Sequence, residues 1–192
     1  LLPRLVTAIP FPKTMRWGAE TIRYARPIHW LLALLDGQVV PFALAGIKSG
    51  DLTYGHRFHA PGAVAVSGAD DYLAKLAEAK VMVAREPRRQ ATEAEVAAAA
   101  AQAGGRLVPD LELLEEVTDL VEQPVACAGS FDQEFLAVPR PVIISAMRGH
   151  QRYFALEDAA GNLLPAFVAV NNTRPKDLGV VTRGHERVLR AR

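Results

Sequence analysis

Two arginines, a histidine, a glutamine and a tyrosine stand in MRGHQRYF (Met147–Phe154), directly after the apolar run PVIISA. An imidazole can move protons, and guanidinium forks grip carboxylates or phosphates. A catalytic cluster would need partners elsewhere in the chain. No G-x-S-x-G elbow is present, and the only cysteine, Cys127, lies in the small apolar stretch PVACAGSF without an adjacent base. Ser145 follows an apolar run inside a predicted helix and reads as a helix-face serine.

A metal centre has one lead. HRFH places His56 and His59 three apart, with Asp51 and Asp70 near in sequence. Gly55, Pro61 and Gly62 favour loop or strand there, where positions i and i+3 point apart, and no H-E-x-x-H is present. No metal site is predicted. Neither GIKSG nor AGG is a phosphate-cradling loop, so no ATP site is expected within this chain.

Basic and aromatic residues interleave in three places. MRWGAETIRYARPIHW carries Arg16, Trp17, Arg23, Tyr24, Arg26, His29 and Trp30. TYGHRFH adds Tyr54, His56, Arg57 and Phe58, and MRGHQRYF adds Arg148, His150, Gln151, Arg152 and Tyr153. Arginine grips phosphate while aromatic rings stack on unpaired bases. The same residues serve packing when each guanidinium simply covers a ring. A helix over the last residues would put Arg183, Arg187 and Arg190 on one face, with Val181 and Val188 opposite. That suits an anion-facing helix and equally a subunit contact, because Glu186 lies beside Arg183 and Arg190.

The elements that must position these residues follow from periodicity and punctuation. A hairpin is predicted at 28–46, turning through Asp36-Gly37, with Pro41 making its second strand irregular. Helices are predicted in SGADDYLAKLAEAK, in EPRRQATEAEVAAAAAQAGG, and in LELLEEVTDLVEQ after an Asp110 cap. In the last, Glu112, Glu115, Glu116, Asp119 and Glu122 read as a solvated acidic face. VMVA, RLVPD and PVACAGSF are predicted strands. PRPVIISAMRGHQ is a helix starting at its prolines, RYFALEDAAGNLLPAFVAVNN a second hairpin turning through residues 158–162, and a last helix begins near Leu178. Without regular βαβ alternation, the expected fold class is α+β, with a mixed or antiparallel sheet, hairpins at both ends and a helical middle layer. One domain over residues 1–192 is expected, with a helix-rich sublayer at 69–123 and a C-terminal helix at 178–192.

The chain has 192 residues, half of them hydrophobic, enough for a buried core. No apolar run approaches the ~20 residues of a membrane helix. A single cysteine excludes an internal disulfide framework and fits a reducing, cytoplasmic setting. LLPRLVTAIPFP lacks Met and is broken by prolines, and RGHERVLRAR carries no stop signal, so a segment of a longer protein is expected. The net charge of +1 conceals a pattern. Residues 1–60 hold seven Lys/Arg against three Asp/Glu, residues 61–139 six against fourteen, and residues 140–192 nine against four. Such a basic–acidic–basic layout can face an anionic partner or pair its own ends with its own middle.

IPFPKTMRWG, RYARPIHWLLALLDGQVVPF, KSGDLTYGHRF, RGHQRYF and RGHERVLRAR together resemble the N-terminal half of the β subunit of bacterial glycyl-tRNA synthetase, in order, over nearly the whole chain. The resemblance implies an α/β heteromeric ligase that charges tRNA(Gly) with glycine. ATP and Mg²⁺ would act at the α subunit, and β would hold tRNA. Partners would be the α subunit, tRNA and the remaining β domains. The fold would be similar to the β3/β4 editing-type module of phenylalanyl-tRNA synthetase. A tRNA-engaging scaffold without an active site of its own is thus expected. The residues implied are Arg148, His150, Gln151, Arg152, Arg183, Arg187 and Arg190, with His56 and Arg57 secondary. A module for subunit or interdomain docking is the alternative. An editing-type aminoacyl-ester hydrolase is the third, in which His56 and His150 would matter first.

Overall fold

The computed structural model describes residues 1–191. The chain divides into two compact units, Leu1–Val81 and Met82–Arg192, where one domain was expected from the sequence. The division cuts the expected sublayer at 69–123.

The first unit is built from short pieces: α1 (Leu2–Thr7), β1 (Leu31–Leu32), β2 (Leu34–Leu35), β3 (Gln38–Val39), β4 (Ala43–Leu44), β5 (Ile47–Gly50), β6 (Leu52–Tyr54), β7 (Ala63–Ala65) and α2 (Ala69–Glu78). Asp36 and Gly37, at φ 51° and 74°, make the predicted tight turn joining β2 to β3. The predicted strand beyond Pro41 does not continue that hairpin. Proline lacks the N–H that a ladder needs. Residues Val40–Phe42 are instead held by Ser49, whose hydroxyl donates to Val40 O (2.7 Å) and accepts from Phe42 N (2.9 Å). The chain then turns again through Ala45-Gly46, pairing β4 with β5, and β5 runs parallel to β1.

The second unit carries the larger core. Its elements are α3 (Arg85–Gln102), β8 (Arg106–Leu107), α4 (Leu111–Leu120), β9 (Val125–Ser130), a 3₁₀ turn at Gln133–Ala137, α5 (Arg140–Ala146), a π-helical turn at Met147–Gln151, β10 (Phe154–Glu157), β11 (Leu163–Asn171) and α6 (Leu178–Arg190). The last position of the expected helix 178–192 lies outside the described residues. The strands form an antiparallel sheet in the order β8-β10-β11-β9. Period-2 alternation sends Phe154, Leu156, Val168 and Ala126 into one cluster with Val96, Ala99, Leu113, Leu114 and Val117 of α3 and α4. It sends Tyr153, Ala155, Phe167, Ala169 and Cys127 into another with Met147, Ile143, Ile144 and Leu189. The sheet is therefore packed on both faces, and Asp110 Oδ1 caps α4 by accepting from Leu113 N at 2.9 Å.

VMVA, predicted as a strand, has no ladder. Met82 N donates to Glu122 O, while Arg88 Nη1 donates to Met82 O (2.6 Å) and Val83 O (3.1 Å). One guanidinium thus satisfies the carbonyls that a neighbouring strand would have taken.

Candidate functional site

The acidic residues of α4 are not merely solvated. Arg85 Nη2 lies 2.6 Å from Glu115 Oε2 and its Nε 2.9 Å from Asp119 Oδ1. Arg89 Nε lies 2.7 Å from Glu115 Oε1. The MRGHQRYF stretch supplies a second set of cations. Arg148 places Nε 2.7 Å from Asp110 Oδ2 and Nη2 2.6 Å from Glu112 Oε2, and Arg152 places Nε 2.5 Å from Glu116 Oε1. The Arg89 and Arg85 guanidinium groups hold the Glu115 carboxyl below its usual range, and the Glu112 carboxylate, then Asp110, raises Arg148. The acids at the start and along α4 are therefore paired from two sides, by Arg85 and Arg89 of α3 in one set and by Arg148 and Arg152 in others.

Local backbone geometry aims these side chains. The π-helical turn ends in Arg152, whose φ of 58° is left-handed. Its N–H returns to Arg148 O and that of Tyr153 to Met147 O, closing the helix end. Met147 is buried on the inner side, at 1% exposure. Between the two arginines, His150 is exposed and Gln151 half-buried. The sequence predicted all four polar residues facing outward. His150 does so, whereas Arg148 and Arg152 are engaged by carboxylates 36 residues away in the chain.

The three arginines of the last helix behave differently. Asp177 caps α6, its Oδ1 accepting from Val180 N at 3.2 Å. The inward face is fixed by polar contacts that the sequence pattern did not reveal. His185 Nδ1 lies 2.8 Å from Tyr153 Oη and its Nε2 2.9 Å from Asn171 Oδ1. Glu186 Oε1 accepts from Ser130 N (2.9 Å) and Oγ (3.1 Å), and Arg190 Nη2 reaches Asp132 Oδ1 at 3.2 Å. Leu189 packs against the core. Val188, predicted to face inward, is instead 42% exposed, because the helix is rotated to put His185 and Leu189 on the sheet. Arg183 and Arg187 are exposed and, among the described residues, make no ion pair. Of the predicted stripe, two arginines remain available and Arg190 is engaged.

Asn171 fixes the tautomer of His185. Its Nδ2 donates to Val125 O (3.3 Å) and Cys127 Sγ (3.4 Å), so Oδ1 faces His185 and accepts from Nε2–H. Nδ1 then accepts from the Tyr153 hydroxyl. Burial pushes the tyrosine up to about 12 and lowers His185 below its ordinary value. A histidine depressed in the fold stabilises it fully above its unfolded value of about 6.5. That contribution fades as pH falls through 6.5 toward the folded value, because the unfolded chain binds more protons there. Thermal unfolding between pH 7.5 and 5 should therefore show a falling midpoint, and His185→Gln should flatten that dependence. An unchanged slope in the variant would remove His185 as its source.

In the first unit His56 is fully buried, not presented with Arg57 as expected. Its Nδ1 accepts from Phe58 N and His59 N, each at 3.3 Å, and its ring stacks on His59. It organises the HRFH loop from beneath, while Arg57 and Phe58 are exposed. Among the described residues, no group of three or more His, Cys, Asp or Glu side chains could hold a metal ion. No helix among them is long and apolar enough to cross a membrane.

Comparison with known proteins gives a consistent result. The family model described as glycyl-tRNA synthetase beta subunit matches residues 1–192. Curated relatives include the glycine–tRNA ligase beta subunits of Syntrophotalea carbinolica and Geobacter metallireducens, both 50% identical, and of Geotalea daltonii, 48% identical. Each alignment covers 100% of this chain and 28% of the relative, so the chain spans about a quarter of their length.

Proposed function

The chain belongs to the glycyl-tRNA synthetase beta subunit family, and from that premise we propose that it engages and scaffolds tRNA(Gly) within the assembled ligase. The α subunit would carry the ATP- and Mg²⁺-dependent charging with glycine. This chain would supply part of the surface that holds the RNA, without an active site of its own. One observation carries the reading. Arg183 and Arg187 are exposed on a helix whose opposite face is fastened to the sheet by His185, Glu186 and Leu189. Cations on a rigid element can meet phosphates without first losing much conformational freedom.

The arginines of MRGHQRYF have a different role in this reading. Arg148 and Arg152 brace the π-helical turn to α4, and an incoming phosphate would have to displace Asp110, Glu112 and Glu116. A docking role toward the α subunit or the rest of β is the second reading. It is favoured by Val180 and Val188, 55% and 42% exposed on the helix that carries the free arginines.

Steady-state charging by the assembled enzyme separates the two. With Arg183→Ala and Arg187→Ala together, the KM for tRNA should rise while those for glycine and ATP stay unchanged. A loss of α–β association with no change in the tRNA KM would transfer this face to subunit docking.

A further inference from the structure

Aromatic exposure in this chain is concentrated in the first unit. Trp30 is 43% exposed, Tyr54 41% and Phe58 68%. Large rings left in water are costly surface, and grouped ones mark a contact site. These are grouped. The Trp30 and Tyr54 rings stand 4.8 Å apart, tilted by 56°. Leu52, also 43% exposed, lies two residues before Tyr54 on the same face of β6. Arg57 stands three positions after Tyr54, so their Cα atoms lie within about 11 Å. The Arg57 guanidinium carbon in turn sits 5.9 Å from the centre of the Phe58 ring.

The loop that presents Arg57 and Phe58 is built, not loose. His56 N donates to Ala79 O at 2.9 Å, and Ala60 N returns to His56 O at 2.8 Å. At Gly55 a Cβ would meet Ala60 O at 2.6 Å and the Ala79 Cβ at 2.7 Å, so only glycine permits this approach to the end of α2. Below it the His56 ring takes two loop amides. The loop thus holds the Arg57–Phe58 pair in place before any partner arrives.

We propose that Trp30, Tyr54 and the Arg57–Phe58 pair form a stacking platform for unpaired bases of a single-stranded RNA segment. The inference rests on the tRNA-engaging reading above and adds to it a second, chemically different contact. Flat rings accept any base, and a guanidinium over a ring can also answer the adjoining phosphate. Charge supports RNA as the occupant: residues 1–60, which carry all of these groups, hold seven Lys/Arg against three Asp/Glu. Contact through α6 reads phosphates alone, whereas this platform requires bases.

That difference supplies the test. Binding of the chain to a labelled short oligoadenylate is measured beside an oligomer of equal length lacking bases at successive positions. The intact oligomer should bind about tenfold more tightly for each stacked base. Trp30→Ala and Tyr54→Ala should each weaken it by about the same factor and barely affect the abasic one. Trp30→Phe, which keeps a ring, should retain most of the affinity. Equal binding of intact and abasic oligomers by the unaltered chain overturns the proposal, and this result does not depend on any variant folding. So does Trp30→Ala weakening association with purified α subunit while leaving oligomer binding intact, which would make the rings a protein contact. Salt-dependent tRNA binding that persists in either case leaves the α6 reading standing.

Discussion

Truncating Phe167 to alanine is expected to destabilise the Met82–Arg192 unit by about 3–5 kcal/mol, the range for a buried aromatic ring. Phe167 is fully buried in the middle of β11. Its ring stacks on Tyr153, with centroids 4.6 Å apart and planes within 15°. It also covers Gly129 of β9, where a Cβ would come within 2.5 Å of the ring. Tyr153 then passes the contact to His185 of α6 through its hydroxyl. Removing the ring therefore opens a cavity and withdraws the support of the tyrosine that positions the last helix. Urea unfolding followed by far-UV circular dichroism reads the cost. Tyr153→Phe, which keeps the stack and loses only one hydrogen bond, should cost about 1 kcal/mol. Near-equal losses for the two variants would contradict the stacked column as the support of α6.

The second large effect is on RNA. If Arg183 and Arg187 each neutralise one phosphate, each contributes a counterion-release term that falls with salt at about 0.9 log units per tenfold. At physiological salt that is about fivefold per contact, so Arg183→Ala with Arg187→Ala should weaken tRNA binding about 30-fold. Both side chains are exposed, so the double variant is expected to fold normally. The loss should be the same for tRNAs differing in sequence, because phosphate contacts carry no base information.

Local signals in the sequence were reliable where a single residue type dictates backbone geometry. Asp36-Gly37 turned the chain as its positive-φ tolerance required, Asp110 capped α4, and the hairpin through residues 158–162 formed between β10 and β11. The resemblance carried by five dispersed stretches identified the family. What periodicity could not convey was who meets whom at long range. The acids of α4 looked solvated because the arginines that pair with them lie 26 to 36 residues away. VMVA looked like a strand because its apolar run gave no hint that Arg88 would take its carbonyls. His56 and His150 looked alike in sequence, yet one is buried under a loop and the other is exposed. Hydrophobicity alone points Val188 inward, whereas His185 takes the inner face of α6 through two hydrogen bonds and Leu189 through packing.

In the proposed function the arginines divide their labour: Arg148 and Arg152 brace the fold, while Arg183 and Arg187 would meet RNA. The salt dependence of tRNA binding tests it most directly, measured for two double variants beside the unaltered chain. Arg183→Ala with Arg187→Ala should reduce the slope of log affinity against log salt by about 1.8. Arg148→Ala with Arg152→Ala should lower the thermal midpoint and leave that slope unchanged. A slope that falls with the Arg148 and Arg152 pair and not with the Arg183 and Arg187 pair would contradict the account.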